Sequence, residues 1–319
     1  MVDPTGLRPQ ALRLRAYAKV NLFLRVLGKR PDGFHDIRTL FQTVSLSDSL
    51  GVRLTPGGQP AVKLTCSRED LQGEDNLAWR AADLMLRRTG LAAQIEITLD
   101  KAIPSGAGLG GGSSDAAAVI RAVASMLPAR PGAQALLEVA AELGSDVPFF
   151  LLGGSAIGTG RGTELKPLSD LRPTALAIAQ PGVEVSTAWA YRALEEHRAA
   201  LTPDSDTGKI EGSDLSCNTP SGGPLPGSSD GMVNDFESVV FRRYPLIAAL
   251  KERLQALGAQ PALMSGSGSA VFGVFESYQS ARLVARTLRA EGFAAWPAEY
   301  VDRAASRVPG TPDFDSARA

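Results

Sequence analysis

A glycine run between an alternating segment and an alanine-rich one constrains this chain more than any other feature. It reads Pro104-Ser105-Gly106-Ala107-Gly108-Leu109-Gly110-Gly111-Gly112-Ser113-Ser114-Asp115, with five glycines in seven residues. Before it, Ile95, Ile97 and Leu99 alternate with Glu96, Thr98 and Asp100, the period of a half-buried strand. After it, Asp115 to Leu127 is helix-forming and apolar nearly all round, which predicts a central, buried helix. Glycines let a backbone approach a ligand closely and adopt positive φ. Ser113, Ser114 and Asp115 are all good N-cap types. A glycine loop that opens a helix offers unpaired N–H groups and a positive dipole end to an anion. The run therefore reads as a phosphate-binding loop.

Other readings of the same glycines fail on their neighbours. Gly106, Gly108 and Gly111 satisfy the dinucleotide-binding spacing. That fold also needs an acidic residue roughly 20 positions on to hold a ribose, and none lies between Ala116 and Leu137. No Gly-Lys-Ser/Thr follows the glycines, which removes the Walker loop, and protein-kinase signatures are absent. A ligand-free flexible turn is the remaining alternative, but such turns rarely join a clean strand to a buried helix.

At 319 residues, 44% apolar, the chain is long enough for two domains with real cores. A net charge of −1 gives no global field toward nucleic acid or anionic membrane, so neither partner is expected. Cys66 and Cys217 belong to no spaced motif, and His35 and His197 are the only histidines. Neither a disulfide framework nor a multi-histidine metal site is indicated. No apolar run approaches the length of a membrane span, and Met1 to Gln10 lacks a signal-peptide core. A cytoplasmic protein is expected.

Period-two alternation predicts a long strand, or a bent strand pair, over Leu12 to Val26. Lys19 and Asn21 then project from one face. A loop is expected over Gly28 to Asp36, then strands over Ile37 to Asp48 and Leu50 to Thr55. Helices are expected over Asn76 to Thr89 and Gln134 to Leu143. Ser145-Asp146-Val147-Pro148 leads into an expected strand, Phe149 to Leu152, and glycines interrupt the segment beyond it. From about Leu165 short strands and helices alternate: a strand at Thr174 to Ala179, and a helix capped by Ser186 running to about His197. A helix is expected from Pro245 to Leu257, then a strand at Ala270 to Phe275, a helix at Ser280 to Ala290 and a strand at Phe293 to Val301. Pro203 to Gly231 reads as a mobile insertion, and residues after Arg303 as a disordered tail.

The order Pro-x-Gly-x-Gly-Leu-Gly-x-Gly-Ser-Ser-Asp resembles the phosphate loop of the GHMP kinases. Ala16-Tyr17-Ala18-Lys19-Val20-Asn21-Leu22 is similar to that superfamily's N-terminal motif, and Met264-Ser265-Gly266-Ser267-Gly268-Ser269 to its C-terminal glycine motif. Four stretches resemble the branch that phosphorylates 4-diphosphocytidyl-2-C-methyl-D-erythritol. They are Lys19 to Leu24, Gly28 to His35, Gly144 to Phe150 and Asn234 to Glu237. The likeness spans roughly residues 12 to 302, apart from the insertion.

The resemblance implies an α+β protein with the GHMP kinase fold. Its N-terminal domain (residues 11–165) would be like the second domain of ribosomal protein S5, and its C-terminal domain (166–303) ferredoxin-like. It implies transfer of the γ-phosphoryl group of ATP, accompanied by Mg²⁺, to the 2-hydroxyl of that cytidyl substrate, a step of the non-mevalonate route to isoprenoid precursors. By the same likeness Asp146 accepts the hydroxyl proton, Lys19 is the catalytic lysine, and Asn21 orients the polyol. Residues Pro104 to Ser114 carry the nucleotide phosphates. Ser113 and Ser114 either bond a phosphate or Mg²⁺ or merely cap the helix. Phe34 and His35 match an aromatic–His pair at the cytidine site, with Phe34 where the family commonly has tyrosine. Tyr191 is a candidate second stacking face and Thr187 a candidate diphosphate or polyol contact. No metal-binding carboxylate cluster is visible, and a monomer or weak homodimer is expected. Rival readings are another GHMP small-molecule kinase, of homoserine or mevalonate type, and a nucleotide-binding module without catalysis.

Overall fold

The computed structural model describes residues 8–201 and 231–314. Nearly all of the expected insertion lies outside them, as does Cys217. Strand β1 (Gln10–Lys29) and strand β2 (His35–Pro56) pair antiparallel along almost their whole length. The expected loop between them shrinks to a turn around Pro31-Asp32-Gly33, because Gly28 pairs with Asp36 and Lys29 with His35. The two strands expected within β2 are one continuous strand.

The far half of β2 pairs with β4 (Ala93–Asp100), which pairs parallel with β3 (Ala61–Cys66). The near half of β2 pairs with β5 (Ser155–Thr159), and β5 with β6 (Glu164–Pro167). Helices α1 (Leu77–Thr89), α2 (Gly111–Met126), α3 (Ala133–Leu143) and α4 (Val147–Leu152) belong to this half. Helix α2 is central and buried nearly all round, as its sequence predicts.

Segment Phe149 to Leu152 is helical, not the expected strand, and Val147 is the first helical residue although a residue before proline favours extended backbone. A short apolar run has no periodicity to separate helix from strand. Pro148 sits in the first helical turn, where a missing N–H costs nothing.

The second sheet has the order β10-β7-β9-β8, all neighbours antiparallel: β7 (Ala175–Gln180), β8 (Ala262–Met264), β9 (Val271–Phe275) and β10 (Ala294–Glu299). Helices α5 (Thr187–Leu201), α6 (Glu237–Arg243), α7 (Pro245–Ala256) and α8 (Tyr278–Ala290) complete this half. That order is the ferredoxin-like arrangement. Alternation along β7 divides its side chains. Ala177 and Ala179 join the helix-side core, while Leu176 and Ile178 face the first sheet.

One alternating stripe on β1 serves three cores in turn. Leu12, Leu14 and Ala16 pack in the core of the first half. Ala18, Val20 and Leu22 pack against Leu176, Ile178 and Phe272 of the second sheet. Leu24 and Val26 reach the core under α5 and α7. A register shift between Tyr17 and Ala18 marks the first handover. β-bulges of this kind bend and twist a strand, which re-aims its side chains. The middle of β1 is consequently buried on both faces, including Lys19 and Asn21.

The segment after Arg303 is not the expected disordered tail as far as residue 314. Buried Arg121 on α2 donates to the carbonyls of Ser306, Phe150 and Leu151, and Phe314 packs on the first core. These partners come from distant parts of the chain, so no local pattern announces them.

Candidate active site

A cavity of about 650 Å³ lies where the middle of β1 meets both glycine motifs and helix α5. Its chemical end is built on buried backbone. Lys19 is 3% exposed and its Nζ donates to Asn21 Oδ1 at 2.6 Å. Asn21 Nδ2 donates in turn to Thr39 Oγ1 at 2.7 Å. Lys19 Nζ lies 3.7 Å from Asp146 Oδ2. Burial pushes the Lys19 ammonium below the usual lysine range, and the Asp146 carboxylate opposes that shift. Asp146 directly precedes α4, yet its side chain makes no capping hydrogen bond. Its carboxylate is 37% exposed and faces Lys19 across the cavity, which disfavours a purely capping role.

The glycine loop is stitched to this floor. Lys19 N–H donates to the Leu109 carbonyl and Ala270 N–H to that of Ala107. The side chains of Ala107 and Leu109 are buried in the core between the sheets. Gly110, with φ +73°, is the N-cap of α2, so the helix starts before the Ser113-Ser114-Asp115 caps expected from sequence. Ser114 is buried and its hydroxyl donates to the Tyr17 carbonyl, so it is turned from the cavity. Ser113, Gly108 and Gly110 line it. Pro104, Ser105, Gly106, Gly111 and Gly112 do not; a Cβ on Gly106 would instead meet Glu184. First-turn N–H groups of α2 have no acceptor within the helix.

The second glycine motif closes over the first. A Cβ on Gly108 would stand 2.1 Å from the Ser265 carbonyl oxygen, so only glycine permits this approach. Ser265 Oγ donates to the Gly108 carbonyl at 3.0 Å, and Gly266 and Ser267 line the cavity. Asn234, read from sequence as structural, holds this motif through Nδ2 to the Met264 and Gly266 carbonyls.

The opposite end is built from surface turns and α5. His35 stacks on Tyr191 with ring centroids 4.5 Å apart, and its Nε2 meets Glu195 Oε1 at 2.7 Å. Burial works against the Glu195 carboxylate, but bonds from Lys29 and His35 prevail and hold it below the usual range. Burial, with Asp146 adding, pushes the Tyr191 phenol up to about 12. Thr187 Oγ1 and Ser267 Oγ share a hydrogen bond of 2.8 Å. Phe34 is 48% exposed, and the Arg161 guanidinium lies 3.4 Å above its ring centroid.

The structure thus brings together Lys19, Asn21, Asp146, Ser113, Phe34, His35, Thr187 and Tyr191 around one cavity. Glu195, Arg161 and Arg192 line it as well and were missed. For Glu195 a signal existed: Thr187, Tyr191 and Glu195 are spaced by four and share a helix face. Arg161 sits between Gly160 and Gly162, read from sequence only as a break.

Comparison with known proteins decides the family. Residues 76–154 match the GHMP kinases N-terminal domain and residues 225–294 the GHMP kinases C-terminal domain. A 4-diphosphocytidyl-2-C-methyl-D-erythritol kinase of Solibacter usitatus is 47% identical over 82% of this chain and 80% of its own. One of Citrifermentans bemidjiense is 42% identical over 89% and 97%. The chain belongs to the 4-diphosphocytidyl-2-C-methyl-D-erythritol kinase family of GHMP kinases. A crystal structure of a kinase of this family superposes with a TM-score of 0.73 at 36% identity, covering 91% of this chain and 99% of that one.

In this family member the donors at the loop end are backbone N–H groups, the Ser113 hydroxyl and the Lys19 ammonium, a set suited to a polyphosphate. No group of three or more His, Cys, Asp or Glu side chains able to hold a metal ion occurs among the described residues. A divalent ion at this kinase site would take most of its ligands from phosphate oxygens and water. No helix among the described residues is long and apolar enough to cross a membrane.

Proposed function

We propose that the chain transfers the γ-phosphoryl group of ATP to the 2-hydroxyl of 4-diphosphocytidyl-2-C-methyl-D-erythritol. The observation that carries this is the Lys19–Asp146 pair, set between the glycine loop at one end of a cavity and an aromatic–His cluster at the other. The residues divide between two regions: 11–165 supply the loop, Lys19, Asn21, Asp146, Phe34 and His35, and 166–303 supply Thr187, Tyr191 and the second glycine motif.

Phosphoryl transfer needs little covalent chemistry from a protein; it needs positioning and charge stabilisation. The loop N–H groups and Ser113 hold the ATP phosphates. Mg²⁺ would be held through those phosphates and would offset charge on the transferred group. Asn21 orients the acceptor polyol, and Asp146 takes the proton of its 2-hydroxyl. That oxygen forms the new bond to the γ-phosphorus, the bond to the bridging oxygen breaks, and ADP leaves. Lys19 pairs with the Asp146 carboxylate and faces the developing charge. Phe34 and Tyr191 supply ring faces to cytosine, while His35, oriented by Glu195, contacts its edge; stacking tolerates any base and edge contacts discriminate.

ADP release measured in turn with the cytidyl substrate, mevalonate and homoserine tests the reading. Release with the first alone supports it; release only with one of the others overturns the substrate.

A further inference from the structure

Three buried ionisable groups lie under the phosphate loop and take no part in the chemistry above. Lys101, just past β4, bonds Asp115 Oδ2 on α2 at 2.7 Å and also Asp48 on β2. Asp48 Oδ1 additionally accepts the N–H groups of Ala102 at 2.6 Å and Ile103 at 2.8 Å. The side chains of Asp48, Asp115 and Lys101 are 0%, 2% and 6% exposed, and none lines the cavity.

Stability alone does not account for the arrangement. Desolvating ions is costly, and well-packed apolar residues often replace a buried ion cluster without loss. Here two carboxyl groups share one ammonium, and Asp115 Oδ1 has no hydrogen-bond partner. What the cluster does uniquely is connect. Residues 101–103 lead into the loop, and 111–115 lead out of it into α2. Lys101 ties the second arm to the first, and Asp48 ties the first to the sheet. The Lys101 ammonium lies directly beneath Gly111, 3.3 Å from where a Cβ would stand. The loop between the arms has positive φ at Gly106, Gly108 and Gly110 and few side chains with which to hold itself.

We propose that Asp48, Lys101 and Asp115 are positioning residues that set the phosphate loop for its nucleotide from beneath. The proposal rests on the loop being the ATP site. It predicts a selective defect: loss of the brace weakens nucleotide binding and leaves acceptor binding intact. Calorimetric titration of the full chain with MgADP, and separately with the cytidyl substrate, reads both ends without turnover. Asp115→Ala should weaken MgADP about tenfold or more, as expected when a binding group shifts by a fraction of an ångström, and leave the cytidyl substrate within about twofold. Asp115→Asn, which keeps the shape and an oxygen for Lys101, should restore MgADP affinity. Should Asp115→Ala not fold, Asp115→Ser, too short to reach Lys101, takes its place. Unchanged MgADP affinity in a folded variant, an equal loss for both ligands, or a defect that Asn does not restore would overturn the proposal. Failure of the wild-type chain to bind MgADP would instead overturn the reading of the loop.

Discussion

The two ends of the cavity are built on opposite principles. At the chemical end, Lys19 and Asn21 sit on a strand buried on both faces, and the loop beside them is locked by backbone bonds to Lys19 and Ala270. At the recognition end, Phe34 is half exposed on a turn and is held by a stacked arginine. His35 stacks on Tyr191 and bonds the partly exposed Glu195 carboxylate. A transferred phosphoryl group must be aimed within a fraction of an ångström, whereas a base stacked on a ring tolerates sliding. On the proposed function, rigidity is placed where geometry is chemistry, and adaptable contacts where it is affinity.

The sharpest break of this contrast is at Asp146. Asp146→Asn should lower kcat by about 10²–10⁴, the range for a lost general base. The melting temperature should stay nearly constant, because that carboxylate caps nothing and is partly exposed. Steady-state kinetics beside a thermal melt separate the two, and full activity would remove Asp146 from the mechanism.

At Gly108, Ala should cost on the order of 2 kcal/mol or more, from the contact with the Ser265 carbonyl and a positive φ. Denaturant titration measures the loss, and activity should fall with it. A fully stable Gly108→Ala chain would mean that the two glycine motifs do not meet as described.

Phe34→Ala should leave kcat nearly unchanged and raise KM for the cytidyl substrate about tenfold, since base stacking contributes about 1–3 kcal/mol. A fall in kcat with KM constant would put Phe34 at the chemical end instead.

A pH slope tests the support beneath the chemical end. Burial, with Asp48 adding and Lys101 opposing, pushes the Asp115 carboxyl up to about 8. Its native pKa lies above its unfolded one, so the stability it contributes is complete below pH ~4 and is lost as pH rises toward 8. Asp115→Asn has no such loss. Melts at pH 5 and pH 8 should show the variant gaining on wild type at the higher pH; parallel slopes would contradict the shift.

Much of the first half was legible because its signals are local. The alternation of β4, the glycines after it and the alanines of α2 fixed a strand–loop–helix unit, and period two fixed β1. What failed did so for physical reasons. Val147 to Leu152 is too short for a period to declare itself, β5, β6 and β8 are brief strands without a clean alternation, and β3 alternates through Val62, Leu64 and Cys66 over only six residues. Ser114 looked like a cap or a ligand, but the helix begins at Gly111 and leaves that hydroxyl to the Tyr17 carbonyl. Lys19 was named through family likeness, and Asp146 chiefly so, beside its place on a turn constrained by Pro148.

The sequence by itself determined that a glycine loop opens a helix with its first N–H groups free, because φ freedom, capping and helix N–H groups are properties of adjacent residues. Only the tertiary structure decided that Lys19 stands 3.7 Å from Asp146, that Arg161 covers Phe34, and that Thr187 meets Ser267. Each of these pairs joins residues far apart in the chain. Such pairs form only once the core between the two sheets brings β1, α4, α5 and both glycine motifs together, and no local pattern encodes that packing.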